Sequence, residues 1–329
     1  MNEHLTASMS LLEKCLYYFI FSIVYVISLL PLSFLYIISD VLYLLFYKVA
    51  SYRAKLVRKN LRDSFPDKSD AQLMGIEKKF YHFLCDYIVE TIKLASMSRG
   101  EMLQRVHYSG VEHIIDCYNE GHNVAIYLGH YCNWEWITSI GLHVPKDIFG
   151  GQVYHILENK VLNALLLKLR SSMGTHSVSM QLILRKTVEC KRAGIKMIIG
   201  FISDQSPLSQ ATNYFTTFLN HENTPFITGT EVIAKKFDYA CVYFDISRPR
   251  RGYYDINIIP MGHSDEYEEW QLTEAYARLM ESSIRRNPEY WLWTHNRWKR
   301  GTKEFCEWVN TSGKATKEQK ELAEKLRGR

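Results

Sequence analysis

The stretch NVAIYLGHYCNWEW, residues 123–136, decides how the chain is read. Val124 to Gly129 is a compact apolar run of strand length, with an asparagine before it and a histidine just after. Asn133 is placed to cap a helix beginning at Trp134. A strand handed through a short turn to a helix is the repeating unit of α/β domains, and chemistry collects at the carboxyl ends of such strands. His130 falls at that end, and Glu135 sits in the first turn of the helix, able to fold back toward it. A carboxylate on one imidazole nitrogen fixes the tautomer and leaves the other nitrogen free to act as a general base. The spacing leaves a second reading open, a satisfied histidine beside an unrelated capping glutamate.

Outward from this unit the alternation continues. Further strands are expected over IKMIIGFIS (195–203), ACVYFDIS (240–247) and, nearer an edge, YYDINIIP (253–260). A short strand followed by a helix ending near Gly121 is expected over 106–123. Helical candidates are Trp134–Leu142, Val161–Met173, Ser179–Arg192, Thr230–Phe237 and Glu268–Arg286. A long helix over 71–96 has Ser69 as its cap, with Gln72 three residues on. The expected fold class is α/β, mostly with buried strands. The tail after Gly301, with lysines and glutamates interleaved, reads as a solvated terminal helix.

The N-terminal segment is of another kind. From Cys15 to Ser39 no side chain carries a formal charge, and as one helix the run would reach about 37 Å, enough for a hydrocarbon core of roughly 30 Å. Pro31 and Asp40 interrupt it before VLYLLFY (41–47), so a tilted spanning helix and a kinked hairpin entering one leaflet are both open. The next segment brings Lys48, Arg53, Lys55, Arg58, Lys59 and Arg62 with no acidic residue, and Val49, Tyr52, Leu56 and Leu61 approximate one apolar face. A basic amphipathic stretch beside an anchor suits anionic lipid. The positive-inside bias places the chain beyond residue 48 on the cytoplasmic side. The chain thus divides into an anchor (1–47), a basic interfacial segment (48–69), a main domain (70–300) and a charged tail (301–329).

Composition narrows the function. A net charge of +5 and a pI near 8.6 do not argue for nucleic acid, and no nucleic-acid-binding motif is present. The 7 cysteines are odd in number and never form a CxxC pair, which fits a reducing compartment and gives no cysteine-based metal site. With no H-E-x-x-H and no close histidine pair, no metal is expected. Cys132 lies two residues from His130, but a buried inert thiol is its expected state. Direct attack by a substrate hydroxyl is therefore favoured over a covalent enzyme intermediate.

Several segments together resemble one family. GHYCNWEW looks like the G-H-x-x-N-W-E block of the bacterial lipid A secondary acyltransferases of the lauroyl/myristoyl type, within the wider glycerolipid acyltransferase superfamily. RAKLVRKNLRDSFPDKS (53–69) resembles the family's basic helix leading to N-L-x-x-x-F-P. VYHILENKVLNALLLKLRSSMG (153–174) places Tyr154, Asn159, Arg170 and Gly174 on matching positions, FISDQS places Asp204 and Gln205, and NPEYWLWTHNRWK (287–299) resembles the terminal block. The match departs over NYFTTFLNHENTPFITG (213–229), where a glycine and a V-P-F-F-G-like phrase are usual. That puts acyl length and the exact acceptor in doubt.

The resemblance implies a glycerolipid-acyltransferase-like mixed sheet with flanking helices, preceded by the membrane anchor helix. It implies a membrane-bound O-acyltransferase on the cytoplasmic side of the bacterial inner membrane. His130 would be the general base, Glu135 its orienter, an acyl-acyl carrier protein the donor, and a lipid A precursor hydroxyl the acceptor, with no cofactor. Asn133, Tyr154, Asn159, Lys160, Arg170, Asp204 and Gln205 are the candidate substrate-binding residues, Arg170 first for anion or headgroup contact. Trp291, Trp293, His295, Arg297 and Trp298 read equally as a wet–apolar boundary at the membrane or as a structural aromatic cluster. Other expectations are acylation of another lyso-, amino-acid or glycolipid from acyl carrier protein or CoA, and an inactive membrane interaction protein that keeps the fold.

Overall fold

The structure, a computed structural model, describes Thr6 and residues 9–328. A seven-stranded mixed sheet forms its centre: β1 (Val106–Ser109), β2 (Asn123–Leu128), β3 (Phe149–Tyr154), β4 (His176–Ser179), β5 (Met197–Ile202), β8 (Tyr239–Arg250) and β9 (Tyr253–His263), in the spatial order β1-β9-β8-β2-β5-β3-β4. Only β8 and β9 pair antiparallel; every other neighbouring pair in this sheet is parallel. The carboxyl ends of β2, β5, β3, β4 and β8 consequently lie along one edge. Val124 to Leu128 are buried, as a strand covered on both faces requires. The expected mixed sheet with flanking helices is the observed architecture.

Two strands of the sheet have no counterpart among the expected ones. FGGQVY of β3 carries two glycines, and HSVS of β4 has four residues, mostly polar, so neither has a clear apolar period. A separate hairpin, β6 (Thr212–Phe218) with β7 (His221–Ile227), occupies the segment that departs from the family pattern. Its turn places both Leu219 and Asn220 at positive φ, 49° and 64°, the conformation two-residue hairpin turns favour.

The N-terminal apolar region is two helices, α1 (Leu11–Ser28) and α2 (Leu32–Tyr43), the second continued by a π-helical stretch to Val49. Proline cannot continue α1, and Pro31 stands at the cap of α2. Leu11–Ser28 and Leu32–Val49 are each long and apolar enough to cross a membrane. Neither projects freely from the domain. After α3 (Ala54–Ser64), α4 (Asp70–Lys93) runs antiparallel to α2 and is tied to it by Tyr36 donating to Glu90 (2.8 Å), Ser39 donating to Asp86 (2.6 Å) and Tyr43 stacking on His82 (3.7 Å). Lys93, buried, donates to the carbonyls of Ser28 and Leu30 at the break, offsetting the unpaired acceptors of a helix end. On the outer face Leu12, Phe19, Val26, Phe34, Ile37 and Val41 are exposed.

The basic segment differs from its expected amphipathic pattern. The helix α3 starts only after Arg53, which is left-handed (φ 53°), and it buries Ala54, Val57, Leu61 and Ser64. Val49 and Tyr52 lie outside that helix and are exposed. Arg58, Lys59 and Arg62 pair with Glu77, Asp63 and Asp70. The expected capping box of α4 is present, Ser69 and Gln72 bonding reciprocally.

The remaining helices are α5 (Arg99–Arg105), α6 (Val111–Asn119), α7 (Lys160–Arg170), α8 (Ile183–Arg192), α9 (Gly229–Phe237), α10 (Gln271–Arg286), α11 (Thr302–Thr311) and α12 (Lys317–Arg327). The tail is not one solvated helix. Phe305, Cys306, Val309, Ala323 and Leu326 of α11 and α12 make a small core of their own, with Phe215 of β6 against it. Buried Gln319 donates to the carbonyls of Gln210 and Thr212 and docks the pair on the domain.

Candidate active site

His130 follows β2 by two residues and is held by the neighbouring strand's end. Asp204, two residues past β5, accepts from the His130 backbone N–H (3.0 Å) on Oδ2 and faces His130 Nδ1 with Oδ1 (2.7 Å). Trp291 donates its indole N–H to the same Oδ2 (2.7 Å). Gly129 permits this approach: a Cβ there would lie 2.5 Å from the Met280 side chain of α10 and 3.2 Å from Asp204 Oδ2. The Asp204 carboxylate is 1% exposed. Burial pushes its pKa up, but attraction to His130 and the hydrogen bonds from His130 and Trp291 outweigh it, and the pKa is lowered to about 2.

An ionised carboxylate only accepts, so the proton of this contact sits on His130 Nδ1. The other ring nitrogen, Nε2, then carries the lone pair; Gln205 Nε2 approaches it at 3.2 Å. The imidazole is one-fifth exposed and meets the Trp134 ring edge-on at 5.1 Å.

The loop carrying His130 is clamped by the C-terminal block. Leu292 N–H donates to the His130 carbonyl (3.1 Å), and Cys132 N–H donates to the Tyr290 carbonyl (2.9 Å), an antiparallel bridge centred on Tyr131 and Trp291. Asn60 of α3 donates to the carbonyls of Trp293 and His295, and Arg53 to that of Thr294. The two outlying family-like segments therefore meet behind the histidine. Trp291, Trp293 and Arg297 are buried, with Arg297 over the Phe226 ring at 4.9 Å, so this block is a structural aromatic cluster and not a membrane boundary. Burial lowers the His295 pKa to about 4, keeping it neutral as an acceptor for the Ser206 N–H (3.4 Å).

Glu135 does not fold back onto His130. Its carboxylate is gripped by Arg170 at the end of α7, Nε to Oε2 at 2.7 Å and Nη2 to Oε1 at 2.6 Å, and the Tyr87 hydroxyl of α4 donates to it at 3.3 Å. The reason is directional: at the start of the Trp136–Leu142 3₁₀-helix the Glu135 side chain faces α4 and α7, while Nδ1 faces β5. Arg170 is correspondingly engaged with Glu135 through Nε and Nη2.

The other candidates separate. The helix begins at Trp136 and not at Trp134, with Glu135 and not Asn133 at its N-cap. Asn133 accepts from Trp136 N–H (3.2 Å) in the preceding turn, and its amide donates to Glu90 (2.7 Å); it is 2% exposed and faces the interior. Glu90 also accepts from Tyr36 and, at 2.6 Å, from Tyr254, so this carboxylate joins α2, the loop after β2 and β9. Burial raises its pKa. Asn159 caps α7 through Leu162 N–H (3.0 Å), and Lys160 is the first residue of that helix. Tyr154 lies at the end of β3 in a cleft of about 440 Å³ with Phe149, His176 and Leu182. Of the predicted residues, only Asp204 and Gln205 converge on the His130 imidazole. Cys132, at φ 52°, turns its thiol toward the Ile246 carbonyl (3.8 Å) and is fully buried; burial pushes the thiol well above its usual pKa.

A family model described as bacterial lipid A biosynthesis acyltransferase matches residues 3–300. The chain belongs to that family. Comparison with curated proteins finds no match. Membership makes this lipid A acyltransferase-family chain an acyltransferase whose acceptor is a lipid A precursor, with His130 and Asp204 meeting at the carboxyl edge of its sheet. The matched range ends at the aromatic clamp, and the α11–α12 pair lies beyond it.

Proposed function

We propose that this acyltransferase moves a fatty acyl group from acyl-acyl carrier protein to a hydroxyl of a lipid A precursor, as a membrane-bound O-acyltransferase at the cytoplasmic face of the bacterial inner membrane. The observation that carries the mechanism is the buried, ionised Asp204 on His130 Nδ1, which leaves Nε2 as the basic nitrogen toward the partly exposed side. Nε2 removes the acceptor hydroxyl proton, displacing the Gln205 amide, as the oxygen attacks the thioester carbonyl. The tetrahedral adduct then expels the carrier thiolate, which takes the proton back from Nε2. An ester forms, a thioester breaks, and His130 returns neutral. Throughout, Asp204 stabilises the imidazolium without accepting its proton.

Glu135 and Arg170 act here as a buried brace that joins the loop to α4 and α7. The outer apolar face of α1 and α2 is the side proposed to enter the bilayer, with the polar staples to α4 holding the domain against it.

The test offers purified protein a lipid A precursor with a free 3-hydroxyacyl chain, with acyl carrier protein or CoA thioesters, and a lysophospholipid as a second acceptor, read by mass spectrometry. Acylated lipid A precursor formed faster from the carrier thioester supports the proposal. Product only from the lysophospholipid, only from CoA, or not at all would replace it.

A further inference from the structure

At the sheet end opposite His130, two chain connections bring ligating side chains together. Glu120 and His122 flank Gly121 in the turn from α6 into β2, and His263 ends β9. Gly121 (φ +90°) and Gly262 (φ +83°) supply the left-handed turns that present these residues. One ligand atom from each of Glu120, His122 and His263 lies within 4.8 Å of the others. The two imidazoles meet edge to face, 4.4 Å between centroids. A further carboxylate, Asp238, stands at the left-handed turn before β8, 3.6 Å from His122 Nδ1. His122 and His263 are far apart in the chain, so the absence of a close histidine pair in the sequence concealed their meeting.

We propose that Glu120, His122 and His263 form a binding site for a divalent transition ion of the zinc class. Two imidazoles and a carboxylate are the donor set that zinc, nickel and copper accept, whereas magnesium and calcium require mostly oxygen. An ion at the centre of a triangle with 4.8 Å edges would be at most about 2.8 Å from each donor, against roughly 2.0–2.2 Å when bound. Each donor therefore closes by less than about 1 Å, within reach of side-chain rotation for an exposed glutamate and two partly exposed histidines. Asp238, 3.6 Å from His122 Nδ1, adds a second negative charge beside the site. Lys196, whose ammonium bonds the Gly121 carbonyl, is the facing cation, so two carboxylates outnumber it around the site.

The ion would cross-link the start of β2 to the end of β9. His130 is the length of β2 away, about 20 Å. The site is therefore one of stability and not of acyl transfer, and it stands independently of the proposed mechanism. An ion that binds the folded chain alone raises the unfolding temperature by mass action.

The test is calorimetric titration of Zn²⁺ into tag-free, chelator-treated full-length protein in detergent, alongside thermal unfolding with and without Zn²⁺. Saturable binding at one equivalent is expected, with a raised unfolding midpoint and no comparable rise from Mg²⁺. His122→Ala and His263→Ala should each weaken binding at least tenfold, and Glu120→Gln by a smaller factor. The double histidine variant should lose the Zn²⁺-dependent rise while keeping the metal-free midpoint. His107→Ala, beside Asp255 on the edge strand, should bind as the parent does. No saturable binding by the parent, unchanged binding by a double variant with a normal metal-free midpoint, or an equal loss in His107→Ala would overturn the assignment.

Discussion

Asp204 and Glu135 are both almost fully buried carboxylates, and each accepts from a nitrogen base and from an aromatic residue. They differ in what the base can do. Imidazole exchanges a proton and guanidinium does not, so the Asp204 pair can take part in proton transfer while the Glu135–Arg170 pair can only hold parts together. Position follows the same division. Asp204 sits at the strand end beside His130, and Glu135 points to the seam where α4 and α7 cover the loop.

The sharpest way to break that comparison is His130→Ala. Loss of the base should lower turnover per folded molecule about 10²–10⁴-fold, with a lowered unfolding midpoint because the buried Asp204 carboxylate loses its imidazole partner. Near-parent initial rates at saturating substrates would remove His130 from the chemistry. Asp204→Asn comes next: its amide can donate to Nδ1 and favour the wrong tautomer, so turnover should fall at least about 10²-fold. The same variant carries a pH signature. Because folding lowers the Asp204 pKa from 3.8 to about 2, its ionised form contributes stability present above about pH 4 and lost as pH falls through about 2. Unfolding midpoints measured between pH 5 and 2 should therefore fall more steeply for the parent than for Asp204→Asn.

Glu135→Gln should act on stability instead. It strands most of the Arg170 charge, an effect of up to about 3 kcal/mol, discounted because Arg170 is one-fifth exposed. Adding Arg170→Gln should recover part of that loss in a denaturant titration. Turnover per folded molecule should stay within about tenfold of the parent. A loss of turnover as deep as that of Asp204→Asn would make Glu135 the orienter after all. Smallest of all, Cys132→Ser should leave rates within a few-fold and no acyl adduct on the intact protein by mass spectrometry, because the thiol is buried and faces Ile246.

The place of His130 at a strand end follows from local information: an apolar run, a glycine and a histidine in order. The partner did not emerge from that, because H-x₄-E proximity in sequence says nothing of side-chain direction in the turn after Cys132. Asp204 was visible as another strand-end residue, but nothing local indicates that β5 lies beside β2. The aromatic block was open between core and membrane boundary for a similar reason. Tryptophan composition suits both, and only the pairing of residues 290–292 with 130–132 decides between them.

By itself the sequence determined those features whose physics is local: the α/β alternation, the Ser69 capping box, the break at Pro31 and the apolar character of the N-terminal segment. Family membership also belongs there, since it rests on an ordered set of short segments along the chain. Tertiary structure alone decided which carboxylate meets His130, where Arg170 directs its charge, and how α1 and α2 lie along the domain. It alone brought His122 to His263. These outcomes depend on strand order and helix docking, which join side chains far apart in sequence, and no periodicity of the intervening residues encodes such a meeting.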